Sequence, residues 1–202
     1  MGKLTLLFSK VLADDNLNLS DEQYKILDEV YNTSSFKLTD NDKNANSTSI
    51  ETNVLNKDKL GFLKEIILNK FNELNNDVYK YDNKFIITTS WFTHTKDGRF
   101  GNFHNHSNSM FSGVFYFTDD NSAIKFQNFN KNTSFNIIPK EFNVYNSSSW
   151  EVKPPKGTIL LFPSEVYHYV NISSKDRKSL AFNIVPVGEY GGRDSKVNVK
   201  YA

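Results

Sequence analysis

The sequence predicts a mainly β protein, a sandwich or small barrel of the jelly-roll kind, with helices packed against one of its sheets. Two amphipathic segments come first, within residues 1–82. Several short β-rich runs then follow one another after Tyr81, and turn residues separate them. Helices first and strands afterwards are the order expected when helices cover one face of a sheet.

Two helices are predicted in the first part of the chain. The first begins after Ser20, because Gln23 follows three residues later and the two form a capping-box pattern. Apolar and aromatic residues recur at helical spacing in both segments, at Tyr24, Leu27 and Tyr31 and then at Leu60, Leu63, Ile67, Phe71 and Leu74. Residues 32–53 between them are rich in Asn, Ser and Thr and are expected to form a long polar loop.

The β-rich core is expected over residues 83–187. Its runs read KFIITTSWFT, SGVFYFT, AIKFQNF, WEVKP, TILLFP, YHYVNI and SLAFNIVPV. Turn-forming pairs such as Asp97-Gly98 and Pro154-Pro155 lie between them. Residues 188–202 are expected to form a C-terminal tail. We interpret residues 1–202 as a single domain, since this length suits one hydrophobic core.

The composition excludes several classes of function. Lys and Arg total 24 against 23 Asp and Glu, so the net charge of +1 gives no strong signal for binding nucleic acid or an anionic membrane. The chain has no cysteine, so any metal must be held by His, Asp or Glu. No segment approaches the roughly 20 apolar residues of a membrane span. We therefore expect a cytoplasmic protein, in the host cytoplasm if the source is a phage.

All four histidines lie in the β-rich part of the chain, and two of them form a His-X-His pair, His104 and His106. Residues i and i+2 of a strand face the same side, so both rings can reach one metal ion if this stretch is extended. The alternative is that both are polar loop residues. Just upstream, His94, Trp91 and Asn102 are candidates for positions that face a substrate.

A second group of candidate residues lies near the end of the β-rich part. His168 follows an apolar run and a proline turn, and Arg177 and Ser179 open the next run. Arg177 and Ser179 are again i and i+2, so both can face the inside of a barrel. A buried arginine is costly unless it meets an anion, and an inward arginine beside a hydroxyl suits a carboxylate. The alternative for Arg177 is a surface charge at the end of a loop.

These pieces, in this order, resemble the iron(II)/2-oxoglutarate-dependent oxygenases, in particular those known mainly from bacterial and phage genomes. Members of that group carry His-X-His, then Ser-Gly-Val-aromatic-Tyr, then Phe-Pro, a histidine and Arg-X-Ser. The matching residues here are His104-Asn105-His106, Ser112-Gly113-Val114-Phe115-Tyr116, Phe162-Pro163, His168 and Arg177-Lys178-Ser179. The resemblance covers roughly residues 84–186.

The resemblance implies a double-stranded β-helix, the cupin-like jelly roll, with the N-terminal helices packed on one sheet. It implies an Fe(II) site with His104 and His168 as ligands, and O2 and 2-oxoglutarate as co-substrates. Arg177, helped by Ser179, would bind the far carboxylate of 2-oxoglutarate. Tyr116 stands where prolyl-hydroxylase-like members place a tyrosine that bonds the same carboxylate, although a core aromatic explains it equally well.

The departure from the family is His106, because most members carry Asp at this position. A three-histidine site can still hold Fe(II), since imidazole suits iron and leaves coordination positions open. We therefore expect His104, His106 and His168 to bind the metal, and the substitution bears on turnover more than on metal binding.

Two other functions remain open on the sequence. The first is a cupin-type metal-binding protein, although Met110 and Phe111 stand where a cupin usually places its glutamate ligand. The second is a non-catalytic jelly-roll module that serves in structure or binding. The first choice is a dioxygenase that hydroxylates an unknown substrate with release of succinate and CO2.

Overall fold

The structure, a computed structural model, describes residues 2–3, 5, 8–39, 42–119, 122–129 and 137–201. Two helices precede most of the strands, and the strands form two antiparallel sheets. The elements in chain order are β1 (Ala13–Asn16), α1 (Asp21–Asn32), β2 (Phe36–Leu38), β3 (Ser47–Ser49), α2 (Gly61–Leu74), β4 (Lys84–Thr95), β5 (Gly101–His104), β6 (Phe111–Tyr116), β7 (Ile124–Gln127), β8 (Ser149–Val152), β9 (Thr158–Pro163), β10 (His168–Val170), β11 (Arg177–Tyr190) and β12 (Val197–Val199). The prediction of a mainly β fold with N-terminal helices is confirmed.

The larger sheet has the strand order β1-β9-β6-β11-β4-β3-β2, and β12 pairs with the far end of β11. The smaller sheet has the order β5-β10-β7-β8. Two such sheets with side chains packed between them make the jelly roll. No helix among the described residues is both long and apolar enough to cross a membrane.

The two faces of the larger sheet have different partners. One face, which we call the helical face, packs on α1 and α2 in a large cluster that includes Leu27, Phe71, Phe92, Phe115, Leu180 and Phe182. The other, which we call the inner face, packs against the smaller sheet. Its apolar cluster consists of Val114, Tyr116, Ile124, Phe126, Leu160 and Phe162. Successive residues of a strand therefore alternate between the helices and the interior of the jelly roll.

Both predicted helices are present, and their ends follow from local chemistry. The Ser20 hydroxyl accepts from the backbone N–H of Gln23 at 3.3 Å, and the Gln23 side chain accepts from the Ser20 N–H at 2.9 Å. This completes the predicted capping box. The second helix starts at Gly61, so Leu60 lies in the 3-10 turn Asp58–Leu60 before it.

Two expectations about irregular segments need correction. Residues 32–53, predicted as a loop, contain the short strands β2 and β3, which extend the larger sheet beyond β4. The expected tail after residue 187 also contains structure, because β12 pairs with β11 and the Tyr201 hydroxyl donates to the Thr88 carbonyl at 2.9 Å. Each of these three strands has only three residues, which is too short for a clear strand pattern, and backbone pairing with a neighbouring strand accounts for both differences.

Candidate metal centre

The pairing of β5 with β10 brings two of the histidines together. His104 ends β5 and His168 begins β10, and the two residues are register partners in this antiparallel pair. Their ring centroids are 4.4 Å apart. Side chains directly opposite each other on antiparallel strands share a face, so both rings stand on the same side of the smaller sheet.

His106 reaches the same point from a loop. Strand β5 ends at His104, so the extended stretch that the i and i+2 argument assumed does not continue to His106. The backbone N–H of His106 instead donates to the Ser164 carbonyl at 3.0 Å. Its ring centroid lies 5.0 Å from that of His104 and 5.2 Å from that of His168. The expected convergence of the two rings is present, although the backbone reason for it is different.

The three histidines offer nitrogen atoms that all lie within 4.8 Å of one another. Three nitrogens on one side of a first-row ion, each at about 2.1 Å from it, are roughly 3.0–3.4 Å apart, so the rings would have to close by up to about 1.4–1.8 Å to complete the site. Within the part of the chain that the structure describes, this cluster contains no carboxylate. The donor set is therefore three imidazoles, which suit iron and other first-row metals.

Two of the rings are oriented by their own backbone. Nδ1 of His104 lies 2.7 Å from the carbonyl oxygen of Asn102, and Nδ1 of His168 lies 3.0 Å from that of Val166. A carbonyl oxygen only accepts, so Nδ1 carries the proton in each ring. The lone pair of a neutral ring then lies on Nε2, and this nitrogen is free for a metal.

Burial keeps the deeper histidines uncharged. It lowers the pKa of His106 to about 4 and that of His168 to about 3, and the neighbouring His104 ring adds to both shifts. The Phe126 and Phe162 rings pack on His168, with centroids 5.8 and 4.9 Å away. At neutral pH both imidazoles are therefore in the form that binds metals.

Arg177 lies on the inner face at the start of β11 and is only 3% exposed. Its guanidinium stands over the Tyr116 ring at 4.3 Å from the centroid, and Nη1 donates to the Ser122 carbonyl at 3.3 Å. Among the described residues no carboxylate forms an ion pair with it. A buried cation without a counter-ion is costly, so this position is suited to an anionic ligand.

Ser179 and Tyr116 lie next to this arginine. Ser179 is 5% exposed and is the register partner of Tyr116 across the β6–β11 pair. Tyr116 also belongs to the inner apolar cluster, so it fills the core and contacts Arg177 at the same time. Tyr116 is thus a core aromatic that also contacts Arg177, and a bond from its hydroxyl to a co-substrate carboxylate stays a prediction.

A chain of polar side chains, which the sequence did not reveal, crosses the inner face. The hydroxyl oxygens of Ser112 and Ser164 are 2.7 Å apart, and the Ser112 hydroxyl donates to Oδ1 of Asn183 at 2.8 Å. Nδ2 of Asn183 in turn donates to the Thr89 hydroxyl at 3.0 Å. Ser112 and Asn183 are polar residues inside apolar runs, and that interruption is the signal that could have identified them.

The three upstream residues that were candidates for substrate-facing positions lie in different parts of the structure. The Trp91 ring centroid is 5.7 Å from that of His106, so Trp91 borders the histidine cluster. The Asn102 carbonyl orients His104. His94 instead lies against Tyr31 and Phe36 near α1, and its Nε2 is 3.4 Å from Asp176. His94 is therefore not a substrate-facing residue, because it alternates onto the opposite side of β4 from Trp91.

Comparison with known proteins agrees with this geometry. Residues 89–183 match the family described as "Putative 2OG-Fe(II) oxygenase". A search of curated protein sequences finds no match to this chain.

Solved structures share the fold at low sequence identity. A Pseudomonas putida prolyl-4-hydroxylase is 14% identical with a TM-score of 0.58, over 85% of this chain and 91% of that one. A Trichoplax adhaerens prolyl hydroxylase, solved with a hypoxia inducible factor peptide fragment, is 13% identical with a TM-score of 0.60, over 86% and 82%. HygX from Streptomyces hygroscopicus, solved with nickel, 2-oxoglutarate and hygromycin B, is 10% identical with a TM-score of 0.56, over 87% and 82%.

These structures show that the fold is the jelly roll that the sequence predicts. The family match spans the strands that carry His104, His168 and Arg177 and the loop that carries His106. The part of the chain that carries the candidate site, residues 89–183, is therefore the part that matches the 2OG-Fe(II) oxygenase family.

Proposed function

We propose that this protein is an Fe(II)- and 2-oxoglutarate-dependent dioxygenase that hydroxylates its substrate and releases succinate and CO2. One observation carries the proposal. Three imidazole nitrogens lie within 4.8 Å of one another beside the β5–β10 pair, and Arg177, which forms no ion pair with a described carboxylate, is buried at the start of β11 in the same jelly roll. A metal site and an anion site so placed are what a co-substrate with two carboxylates requires.

His104, His106 and His168 would hold the iron. The donor set fits, because all three are nitrogen ligands that iron accepts, and burial keeps His106 and His168 neutral. Three ligands on one side leave further coordination positions open. When bound, the iron supplies the place at which O2 and 2-oxoglutarate react.

The third histidine changes the charge of this site. An aspartate ligand would neutralise part of the double positive charge of the metal, whereas His106 leaves it whole. A site with more net positive charge attracts the anionic co-substrate more strongly. The uncharged ring of His106 lacks the attraction that a carboxylate has for the metal ion. The protein therefore has to supply the orientation of this ring.

Arg177 would bind the far carboxylate of 2-oxoglutarate, with Ser179 as a second donor. A guanidinium can bind a carboxylate through two parallel N–H groups, and such charge-assisted bonds are about twice as strong as neutral ones. Ser179, the neighbouring inner-face residue on β11, has a small side chain whose hydroxyl lies on the same side as Arg177.

The surroundings of the site would strengthen these interactions. Phe126 and Phe162 exclude water on the side of His168, and Tyr116 does so beneath Arg177. Electrostatic attraction is stronger where water is excluded, so both the metal ligands and the carboxylate contact gain from this burial. The protein would thus orient the co-substrate and keep bulk water from the reacting groups.

The test measures turnover of the co-substrate directly. The full chain is loaded anaerobically with Fe(II), supplied with 2-oxoglutarate and then with O2, and succinate is quantified. The substrate is unidentified, so the assay follows 2-oxoglutarate alone, and succinate above the level of a His168→Ala control supports an oxygenase. Iron and 2-oxoglutarate binding without any succinate would instead favour the non-catalytic binding module. Iron binding without 2-oxoglutarate binding would favour the cupin-type alternative.

A further inference from the structure

We propose that Trp91 is a positioning residue that holds the ring of His106 in its metal-binding orientation. The inference rests on the proposed function, since it concerns the same three histidines. It starts from a difference between the rings. His104 and His168 are each oriented by a carbonyl two residues earlier, at 2.7 and 3.0 Å from Nδ1. Across the described part of the chain, no hydrogen bond reaches a ring nitrogen of His106.

The backbone of His106 is anchored, but its ring is not. Its N–H donates to the Ser164 carbonyl, and the hydroxyl of Ser164 is joined to that of Ser112 at 2.7 Å. These bonds fix where the side chain starts and leave its two side-chain torsions free. A ring with free torsions takes its orientation from the groups that it packs against.

Among the described residues, three rings contact the His106 ring. Two of them, His104 and His168, belong to the proposed ligand set itself, with centroids 5.0 and 5.2 Å away. Trp91, with its centroid 5.7 Å from that of His106 and the planes inclined by 45°, is the contact from outside the cluster. Trp91 therefore takes the place that a carbonyl acceptor has for each of the other rings.

Trp91 is itself held in a rigid position. It lies in the middle of β4, which pairs with both β3 and β11. Its register partner on β11 is Ala181, whose small side chain leaves space for the indole. A large ring on a central strand loses little further freedom when it contacts a neighbour, so it can orient a less constrained side chain.

The ring of His106 needs an orienting contact because it is uncharged. An aspartate in this position would be drawn to a doubly charged metal by its own charge, whereas an imidazole is not. A ring that donates its lone pair to a cation becomes poorer in electrons, and the indole face is the best aromatic partner for such a group. Aromatic pairs of this kind shift an equilibrium about two- to twelvefold.

The test uses Cu(II) as the probe, because copper binds most tightly of the divalent first-row ions and weakened sites stay measurable. The variants are Trp91→Leu, which removes the ring, and Trp91→Phe, which keeps a smaller one. Trp150→Leu is the matched control, since Trp150 is the only other tryptophan and lies on β8. Affinity is measured by chelator competition, and pulsed electron paramagnetic resonance counts the bound imidazoles.

We expect three imidazoles in the wild type and in Trp150→Leu. Trp91→Leu should bind Cu(II) about three- to tenfold more weakly and lose one imidazole in part of the molecules. The Cu(II) affinity of Trp91→Phe should lie between those of the wild type and of Trp91→Leu. A merely structural role of Trp91 would not produce this order. If Trp91→Leu fails to fold, Trp91→Phe decides the question alone. An intermediate Cu(II) affinity of folded Trp91→Phe then supports the inference, and an affinity equal to that of the wild type overturns it.

A double-mutant cycle shows whether Trp91 acts through His106. Adding Trp91→Leu to His106→Ala should change the affinity by less than about twofold, because the ring that Trp91 orients is gone. The same loss in both backgrounds would overturn the inference. If His106→Ala keeps three imidazoles, the proposed ligand set itself is wrong. If His106→Ala loses one imidazole while Trp91→Leu keeps three at wild-type affinity, only the role of Trp91 is wrong.

Discussion

His104 and His168 are direct register partners on β5 and β10, and their ring centroids lie 4.4 Å apart. The distance between two candidate ligands is therefore set by backbone pairing and not by a loop. A shift of one residue in this pairing would turn one ring to the outer side of the sheet and destroy the cluster. The metal centre and the correct assembly of the smaller sheet thus depend on the same few hydrogen bonds.

The first prediction concerns metal loading. The purified protein should bind about one first-row metal ion per chain, and His104→Ala and His168→Ala should each remove it, because two imidazoles bind such an ion far less tightly than three. His94→Ala is the control, since His94 lies against Tyr31 on the helical face. Metal analysis after desalting gives the result. Undiminished metal in His168→Ala would contradict the assignment of this residue as a ligand.

The second prediction concerns Arg177. The Arg177→Ala variant should keep its metal but bind 2-oxoglutarate with a loss of about 1.5–3 kcal/mol, the usual worth of a hydrogen bond to a charged group. That loss corresponds to roughly ten- to a hundredfold in affinity, which calorimetry on the metal-loaded protein can measure.

Lys178 offers a matched control for this experiment. It is the next residue on β11 but faces the helices, where its ammonium nitrogen lies 3.5 Å from an oxygen of Asp28. Lys178→Ala should bind 2-oxoglutarate as the wild type does. Equal weakening by the two variants would mean that general positive charge, and not the guanidinium of Arg177, attracts the co-substrate.

The third prediction concerns the unusual ligand. His106→Ala should lose most of its metal, whereas His106→Asp should retain it, because a carboxylate restores the common site of two histidines and one acid. Succinate formation from 2-oxoglutarate should be at least as fast in His106→Asp as in the wild type. Full metal occupancy in His106→Ala would place His106 in the substrate pocket instead of the ligand set.

The fourth prediction concerns the stability of the metal-free protein. Burial lowers the pKa of His106 to about 4 and that of His168 to about 3, below the ordinary value of about 6.5. Between these values the unfolded chain binds protons that the folded chain does not, so the free energy of unfolding falls as the pH falls. This loss starts near pH 6.5 and continues to about pH 3.

Urea denaturation at several pH values would measure this effect, with the metal removed throughout. Carboxylates also titrate near the lower end of the range, so the wild type is compared with His168→Leu, which lacks one of the two groups. The free energy of unfolding of the variant should change less between pH 6.5 and pH 4. Identical pH profiles would show that His168 is not held neutral in the fold.

The fifth prediction concerns Gly113, which lies on β6 beneath Phe182. A Cβ at this position would overlap the Phe182 ring and come within 2.9 Å of the Leu160 carbonyl oxygen. Gly113→Ala should therefore lower the free energy of unfolding by about 1–3 kcal/mol, the range for overpacking a core. Gly61→Ala is the control, because a Cβ there meets nothing within 4 Å and should change stability by less than about 1 kcal/mol.

Much of the fold could be predicted because strong local signals coincide with tertiary burial. The capping box at Ser20 and the helical spacing around Phe71 predict α1 and α2 correctly, and the apolar runs predict the inner strands. The strands β2 and β3 were not predicted, because they lie at the edge of the larger sheet. In β3, Ser47–Ser49, no apolar residue marks the strand, and in β2, Phe36–Leu38, the alternation lasts only three residues.

Part of the candidate site could likewise be predicted from the sequence. The order of His104, His168 and Arg177 indicates the site because it matches the ordered motifs of the family that the sequence resembles. The position of the Trp91 ring beside His106 depends on the register between β4 and β11 and on a loop conformation, and neither is encoded by local spacing. The chain of hydroxyl and amide groups around Asn183 depends on three strands at once, so it appears only in three dimensions.

The alternation of side chains at the start of β11 has a consequence for how this protein can change. On β11, Leu180 and Phe182 pack on the helices, while Arg177 and Ser179, which precede them, face the interior. Each strand therefore carries two independent sets of positions, one that holds the protein together and one that meets its ligands. Substitutions in the second set can alter the chemistry without repacking the first, so new specificities can arise on this scaffold at little risk to folding.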